Sequence, residues 1–340
     1  MIYLDNAATT PIIPCARETL NAILSVPANP NSSHHCGEAA RNRLEEARKT
    51  IARCINARPD EIYFTSGATD ACQWAMQTLS ENCALTQVRV VEHHAVLDCP
   101  ITTNAALEPY GIAQMLANNE TGEIFSAPHK GNPRTDLWFC DATAAMGHIP
   151  IDVKKLGADY LAAGGHKFGA PCGIGFLYAK RGVELAERRT GTPPVALIAA
   201  MASALEWHTE HMDENIEHIR KMQKLIGYTL TKNIDGMKFN TLFNSHRSSY
   251  LPHILNVSFY GVDGKTLALL CSKRGVMISA GAACTSGNNE PSHVLMAMYH
   301  DEAGARSAVR ISFSHENTDE EAEQAAKIIA ECVQELREMS

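Results

Sequence analysis

The chain has 340 residues, of which 45% are hydrophobic and 20% charged, with a formal net charge of -8. That composition suits a soluble protein with core enough for one large domain and a smaller one. It lacks the basic excess of a nucleic-acid or anionic-membrane binder, and no apolar run approaches the roughly 18 residues that span a bilayer.

Residues 1–14 read as an extended arm, with prolines at 11 and 14 that oppose helix. The arm lacks the basic start and long apolar centre of a signal peptide, so the cytoplasm is the expected compartment. A short helix is predicted over 16–24, then the polar loop NPNSSHHCG, which holds Asn29 and Asn31. Ala40, Leu44, Ala47, Ile51 and Ile55 share one face of a helix over 38–55. EIYFTSGATDACQWAM then reads as strand, Ser-Gly turn and helix start. Free N–H groups beside Ser66, Gly67, Ala68 and Thr69 suit an anion, phosphate above all. A plain turn capped by Ser66 or Thr69 is the other reading.

Val88–Val91 is predicted as a strand that delivers Glu92, His93 and His94 to its carboxyl end. DLWFC (136–140) is another, ending in Asp141, and Ala158–Ala163 and Gly173–Tyr178 add two more. Strands alternating with helices imply an α/β fold with a mostly parallel central sheet, which binds ligands at the carboxyl ends of its strands. Thr69, His93, Asp141, His166 and Lys167 all fall there.

A long helical region follows, from about Val195 to Thr231, and a polar loop at 244–249. Strand (253–259), helix (264–272), strand (276–279), helix (292–299) and strand (308–314) lead to a last helix with a capping-box start, Thr318 to Glu321. The expected domains are a large one over 13–212 and a smaller α+β one made of 1–12 plus 213–340. The eleven cysteines form no C-x-x-C pair and the histidines no metal-ligand spacing, so neither a disulfide framework nor a metal site is expected. Buried packing is the reading for most cysteines, Cys140 and Cys172 included.

The stretch AAGGHKFG (162–169) sets Lys167 behind His166, just after an apolar strand. Burial lowers a lysine's pKa and makes it a Schiff-base amine; a solvent-facing loop lysine is the plain alternative. Lysine, strand-end aspartate, a histidine able to lie over a ring and a phosphate-ready helix start together match the needs of pyridoxal phosphate.

The chain also resembles the cysteine desulfurases of the NifS/IscS type, which belong to class V of the fold-type-I pyridoxal-phosphate enzymes. The resemblance rests on YLDNAATTP (3–11), NPNSSH (29–34), EIYFTSGATD (61–70), EHHAVLD (92–98), NNETG (118–122) and CDATAAMGHIPIDV (140–153). It continues through GGHKFGAPCGIGFLY (164–178), RTGTPPV (189–195), SAGAACTSG (279–287), EPSHVLMAM (290–298) and VRIS (309–312). It implies that Lys167 holds the cofactor, Asp141 pairs with its pyridinium and His93 stacks on the ring and serves in proton transfer. Asn119 would sit by the phenolic oxygen, while Ala68, Thr69 and His166 would bind the phosphate, with Thr192 reaching in from a second subunit of a homodimer. Arg310 would clamp the carboxylate of L-cysteine or selenocysteine, and Asn29 and Asn31 would help line the pocket.

Cys284 would be the nucleophile that takes the substrate sulfur as a persulfide and passes it to an acceptor such as an iron–sulfur scaffold. Without its context in SAGAACTSG, it would read as a buried structural cysteine.

The pattern is not complete. Ala144 stands where relatives commonly carry glutamine, Gly164 where a phosphate-binding hydroxyl is common, and Asp70 where glutamate is usual. Each of the first two removes a hydrogen bond, typically about 0.5–1.5 kcal/mol. The space between Asp98 and Asn118, where relatives have a strand and a helix, is shortened, and a glycine-rich segment before RTGTPPV is missing. A selenocysteine lyase or other class V lyase or aminotransferase, and a non-catalytic scaffold for sulfur transfer, are the competing readings.

Overall fold

The structure is a computed structural model in which residues 1–27, 29–103, 105–188, 191–242, 249–281 and 290–339 are described. In chain order it opens with β1 (Ile2–Tyr3), α1 (Pro14–Leu24), α2 (His35–Cys54), β2 (Ile62–Thr65), α3 (Ala68–Asn82) and β3 (Leu85–Val88). Next come α4 (His94–Leu97), β4 (Tyr110–Ala113), β5 (Leu137–Asp141), α5 (Val153–Leu156), β6 (Tyr160–Gly164), β7 (Gly175–Ala179) and α6 (Val195–Glu210). The rest is α7 (Met212–Asn233), β8 (Met237–Phe239), β9 (Ile254–Phe259), α8 (Gly264–Lys273) and β10 (Val276–Met277), then α9 (His293–Tyr299), α10 (Glu302–Arg306), β11 (Ala308–Ser312) and α11 (Asp319–Glu338).

Two compact units result. One joins Met1–Thr9, Ala117–Ile124 and Asp213–Ser340; the other joins Thr10–Leu116 and Phe125–Met212. The sequence reading kept 117–124 with the large domain, but that strap packs in the smaller unit. The Thr241 hydroxyl donates to the Thr121 carbonyl at 2.7 Å, and the Asn256 amide to the Glu120 carbonyl at 3.2 Å. The arm passes into the larger unit at Thr10, whose N–H donates to the His166 carbonyl at 2.8 Å.

The larger unit is built on a six-stranded sheet in the order β2-β7-β6-β5-β4-β3. The β3–β4, β4–β5 and β5–β6 pairings are parallel, and β7 runs antiparallel to both its neighbours. Every residue of β6 and β7 is buried, as expected where a sheet is covered on both faces. Phe139, Tyr160, Ala162 and Leu177 pack with α3 residues Cys72, Trp74, Ala75 and Leu79. Their alternating neighbours Trp138, Cys140, Leu161 and Phe176 point to the opposite face and are equally buried. The strand expected at 88–91 lies instead at 85–88, and β4 occupies the shortened segment where no strand was read.

The smaller unit holds a three-stranded antiparallel sheet, β11-β9-β8, and a parallel pair, β1-β10. Its core joins Leu255, Val257 and Phe259 of β9 to Met222 and Ile226 of α7, Leu267 of α8, and Ile329 and Val333 of α11. The Thr318–Glu321 capping box closes the start of α11 as predicted. The single helical region read over 195–231 is broken at His211. There the imidazole donates to the Trp207 carbonyl at 2.9 Å and stacks on the Trp207 ring, which takes up a carbonyl at the end of α6. Among the described residues, no helix is long and apolar enough to cross a membrane.

Candidate active site

In the larger unit, Lys167 lies in a 3-10 turn, Gly165–Phe168, directly after β6. Three donors hold the backbone of that turn. Thr10 N–H reaches the His166 carbonyl at 2.8 Å; Thr10 Oγ1 and His148 Nε2 both donate to the Lys167 carbonyl, each at 3.0 Å. The turn ends on Gly169, at φ 77°, where a Cβ would stand 2.5 Å from Ile13 Cγ2. Lys167 is thus half-buried on a fixed backbone. Burial, and then the charge of Lys167 beside it, lower the pKa of His166 to about 4, so its ring is neutral.

Asp141 is the last residue of β5, opposite Ala162 of β6, and is 7% exposed. Its Oδ1 accepts from the Thr143 N–H at 2.9 Å, and the Cys72 thiol of α3 hydrogen-bonds to the carboxylate. Burial, reinforced by Asp141, holds that thiol well above its usual pKa, as it does the thiol of Cys140. No ion pair to Asp141 is found among the described residues. A buried carboxylate without a cation is a receptor for one.

α3 begins at Gly67 with no side chain capping it, so neither Ser66 nor Thr69 has the cap role. Ser66 instead donates through its N–H and its hydroxyl to Asp70 Oδ2, at 2.8 and 3.0 Å. Arg188 binds the other Asp70 oxygen and lies over the Trp74 ring. Burial opposes ionisation of Asp70, but the Ser66 and Arg188 contacts outweigh it and keep the carboxyl below its ordinary pKa.

The amide of Ala68 faces the end of β6. A Cβ on Gly164 would lie 3.2 Å from Ala68 N, 2.9 Å from Ala68 Cβ and 3.5 Å from His166 Cε1. Two of the expected phosphate contacts, Ala68 and His166, thereby lie against Gly164, where a Cβ would have little room. Thr192 is exposed and lines an open cavity of about 410 Å³ with Ser66, Asp70 and Arg188.

His93 caps α4. Its Nδ1 accepts the Ala95 N–H at 3.0 Å, so the neutral ring carries its proton on Nε2. Asn29 and Asn31 are exposed and form a local turn, with the Asn31 N–H donating to Asn29 Oδ1 at 2.9 Å. Cys172, read as buried packing, is exposed, because it sits on the turn that Gly173 makes at φ 86° before β7.

The smaller unit carries Arg310 and Asn119. Arg310 is 2% exposed on β11, donating from Nη1 to the Asn119 carbonyl at 2.8 Å and from Nη2 to Asp5 Oδ1 at 3.1 Å. Among the described residues its Nε has no hydrogen-bond partner. Its backbone exchanges hydrogen bonds with Ser279 at 2.7 and 3.1 Å. Ser279 opens the SAGAACTSG stretch; Cys284 itself lies outside the described residues.

The donor set fits pyridoxal phosphate on these observations: a buried carboxylate with no ion pair among the described residues, a helix start without a side-chain cap beside a neutral histidine, and a lysine on a pinned turn. Thr10, His148 and Cys72 were not foreseen as parts of the site. The first two bind a main-chain carbonyl, which leaves no spacing signal in a sequence.

The profile of the family described as "Aminotransferase class-V" matches residues 2–108, 108–187 and 184–325. Cysteine desulfurase IscS of Methanosarcina thermophila is 31% identical, with 100% of this chain and 93% of that protein covered. The protein named putative cysteine desulfurase IscS 1 of Bacillus subtilis (strain 168) is 33% identical, with 98% and 99% covered. These alignments run over 387 and 382 positions, longer than the chain itself, in keeping with its shortened segments. A solved structure titled NifS-like protein superposes with a TM-score of 0.86 at 28% identity, covering 98% of this chain and 99% of its own. Another, titled SspA in complex with cysteine, gives 0.76 at 26% identity over 94% and 100%.

Proposed function

The chain belongs to the class-V aminotransferase family, and from that premise we infer that it is a pyridoxal-phosphate-dependent cysteine desulfurase, converting L-cysteine to L-alanine. The observation that carries this reading is the pinned Lys167 turn after β6, next to the strand β5 that ends in buried Asp141, a carboxylate with no ion pair among the described residues. When bound, the cofactor supplies an aldehyde for amines and a ring that accepts electrons. Lys167 would anchor it, Asp141 would receive its ring nitrogen, and the Ala68 and Thr69 amides with neutral His166 would take its phosphate. Asn119 would serve the phenolic oxygen.

The Lys167 amine and the His93 ring are the groups to hold and move the proton at the substrate Cα. Arg310, with a planar fork that suits a carboxylate, would orient the substrate, and Asn29 and Asn31 would border its entry. The Cys284 thiolate would take the sulfur as a persulfide and pass it to an acceptor protein such as an iron–sulfur scaffold. A cytoplasmic homodimer, with Thr192 completing the phosphate site of the partner subunit, is part of the same proposal.

The purified protein loaded with pyridoxal phosphate and given L-cysteine with a reductant should release alanine and sulfide in equal amounts, and Cys284→Ser should stop both. Alanine released from selenocysteine but not from cysteine would instead favour a selenocysteine lyase. No alanine from either substrate would leave the scaffold reading.

The closed space at Gly164 makes a second expectation. Gly164→Ser restores the hydroxyl common in relatives, yet its Cβ meets Ala68 Cβ at 2.9 Å. Overpacking of this kind typically costs about 1–3 kcal/mol. The variant should melt earlier and bind pyridoxal phosphate no more tightly in a titration. Tighter binding with an unchanged melt would show that the wall yields.

A further inference from the structure

Glu92 is a carboxyl with 0% exposure, one residue before His93, and no role has so far been given to it. Its Oε1 accepts the Met115 N–H at 2.7 Å. Met115 lies just beyond β4, in a segment that is itself joined to β5. Gln114 N–H donates to the Phe139 carbonyl at 3.1 Å, and Leu116 N–H donates to the carbonyl of Asp141 at 2.9 Å. On its other side, Glu92 N–H donates to the Arg89 carbonyl at 3.1 Å, closing the turn that leads to His93.

We propose that Glu92 is a positioning residue, whose buried carboxyl ties the turn presenting His93 to the backbone that carries Asp141. The path runs from His93 through Glu92 and Met115 to Leu116 and so to Asp141, by one side-chain hydrogen bond and one main-chain bond. The β4 end needs such a tie, because β4 is only four residues long and lies in a shortened segment. The carboxyl is also suited to its place electrically. Burial first, and the charge of Asp141 as well, raise its pKa to about 8 against the pull of the Met115 bond and of Arg89. At neutral pH it is therefore mainly uncharged, and its bond to the Met115 N–H does not depend on a charge.

The inference rests on the cofactor site proposed above, so its test has one readout that needs no cofactor. Hydrogen exchange over residues 114–116 would be compared in wild type, Glu92→Gln, Glu92→Ala and Glu92→Asp. Glutamine keeps an acceptor oxygen for Met115 without charge; alanine and aspartate do not reach it. The alanine and aspartate variants should lose protection over 114–116, and glutamine should keep it. In the loaded enzyme, alanine and aspartate should weaken pyridoxal-phosphate binding about ten-fold, within the range of a lost buried hydrogen bond. They should lower kcat more than they raise KM and shift the visible cofactor band; glutamine should stay near wild type in all three.

Glu61 provides the comparison with a purely structural acid. It is also buried and also accepts main-chain N–H groups, those of Arg58 and Arg181 at 2.7 and 2.9 Å. Glu61→Ala should lower the melting temperature and leave the cofactor band in place. Glutamine failing as badly as alanine, or alanine leaving protection and cofactor binding intact, would overturn the role. Wild type taking up no cofactor while the exchange pattern holds would instead count against the cofactor reading alone.

Discussion

Lys167→Ala is expected to abolish the visible absorption band that the loaded protein shows and that borohydride bleaches. Desulfurase turnover should fall by on the order of 10⁴-fold or more, since in the proposed function Lys167 is both the covalent anchor and the amine that handles the substrate proton. The fold should survive. The turn is held through backbone atoms, by Thr10 and His148 on the Lys167 carbonyl and by Gly169 at its end, and alanine keeps all of these. A melting curve close to wild type therefore accompanies the loss of the band. Residual binding should remain, because Asp141 and the start of α3 are unaltered. A variant that keeps the borohydride-sensitive band would place the reactive amine elsewhere.

Arg310→Ala should act on both stability and substrate. The guanidinium is 2% exposed and bound to Asp5 and to the Asn119 carbonyl, so its removal leaves both acceptors without it. Removing one member of a buried pair costs about 3–5 kcal/mol; the lower end applies, since the Asp5 side chain is 23% exposed. KM for L-cysteine should rise by roughly 30-fold or more if the same fork also binds the substrate carboxylate.

Two further substitutions separate these effects. Arg310→Lys keeps the charge but not the planar fork, and should retain most stability while KM stays high. Asp5→Asn should lower stability with little change in KM. Equal KM values for wild type and Arg310→Lys would remove Arg310 from the substrate site.

The strand ends were readable because β5 (LWFCD) and β6 (YLAAG) are compact, largely apolar runs, which place Asp141 at the end of one and His166 and Lys167 just after the other. β3 was misplaced for a physical reason. LTQV exposes Leu85 and buries Thr86, the reverse of the usual alternation, whereas of the more apolar VRVV only Val88 belongs to the strand and 89–91 lie past its end. β4 escaped notice because YGIA is short, carries a glycine and exposes Tyr110. The strap 117–124 is joined to the rest of the smaller unit by a hydroxyl and a side-chain amide that donate to its carbonyls across more than a hundred residues of sequence, which no local pattern announces.

In the site, Asp141 and Lys167 could be proposed from chemistry alone, while the roles of Asn119, Thr192, Arg310 and Cys284 came only with the family resemblance. Glu92 was visible merely as a residue at a strand end. Its burial and its bond to Met115 are tertiary facts, and so is the closure of the Gly164 space by Ala68.

The central claim is that this chain takes sulfur from L-cysteine onto Cys284. One turnover of the loaded protein with L-cysteine, without reductant, followed by mass analysis of the peptide that holds Cys284, addresses it directly. One persulfide sulfur on Cys284 for each alanine formed, and neither in Cys284→Ser, is the expected result. Alanine formed with Cys284 unmodified, or formed equally by the serine variant, would contradict it.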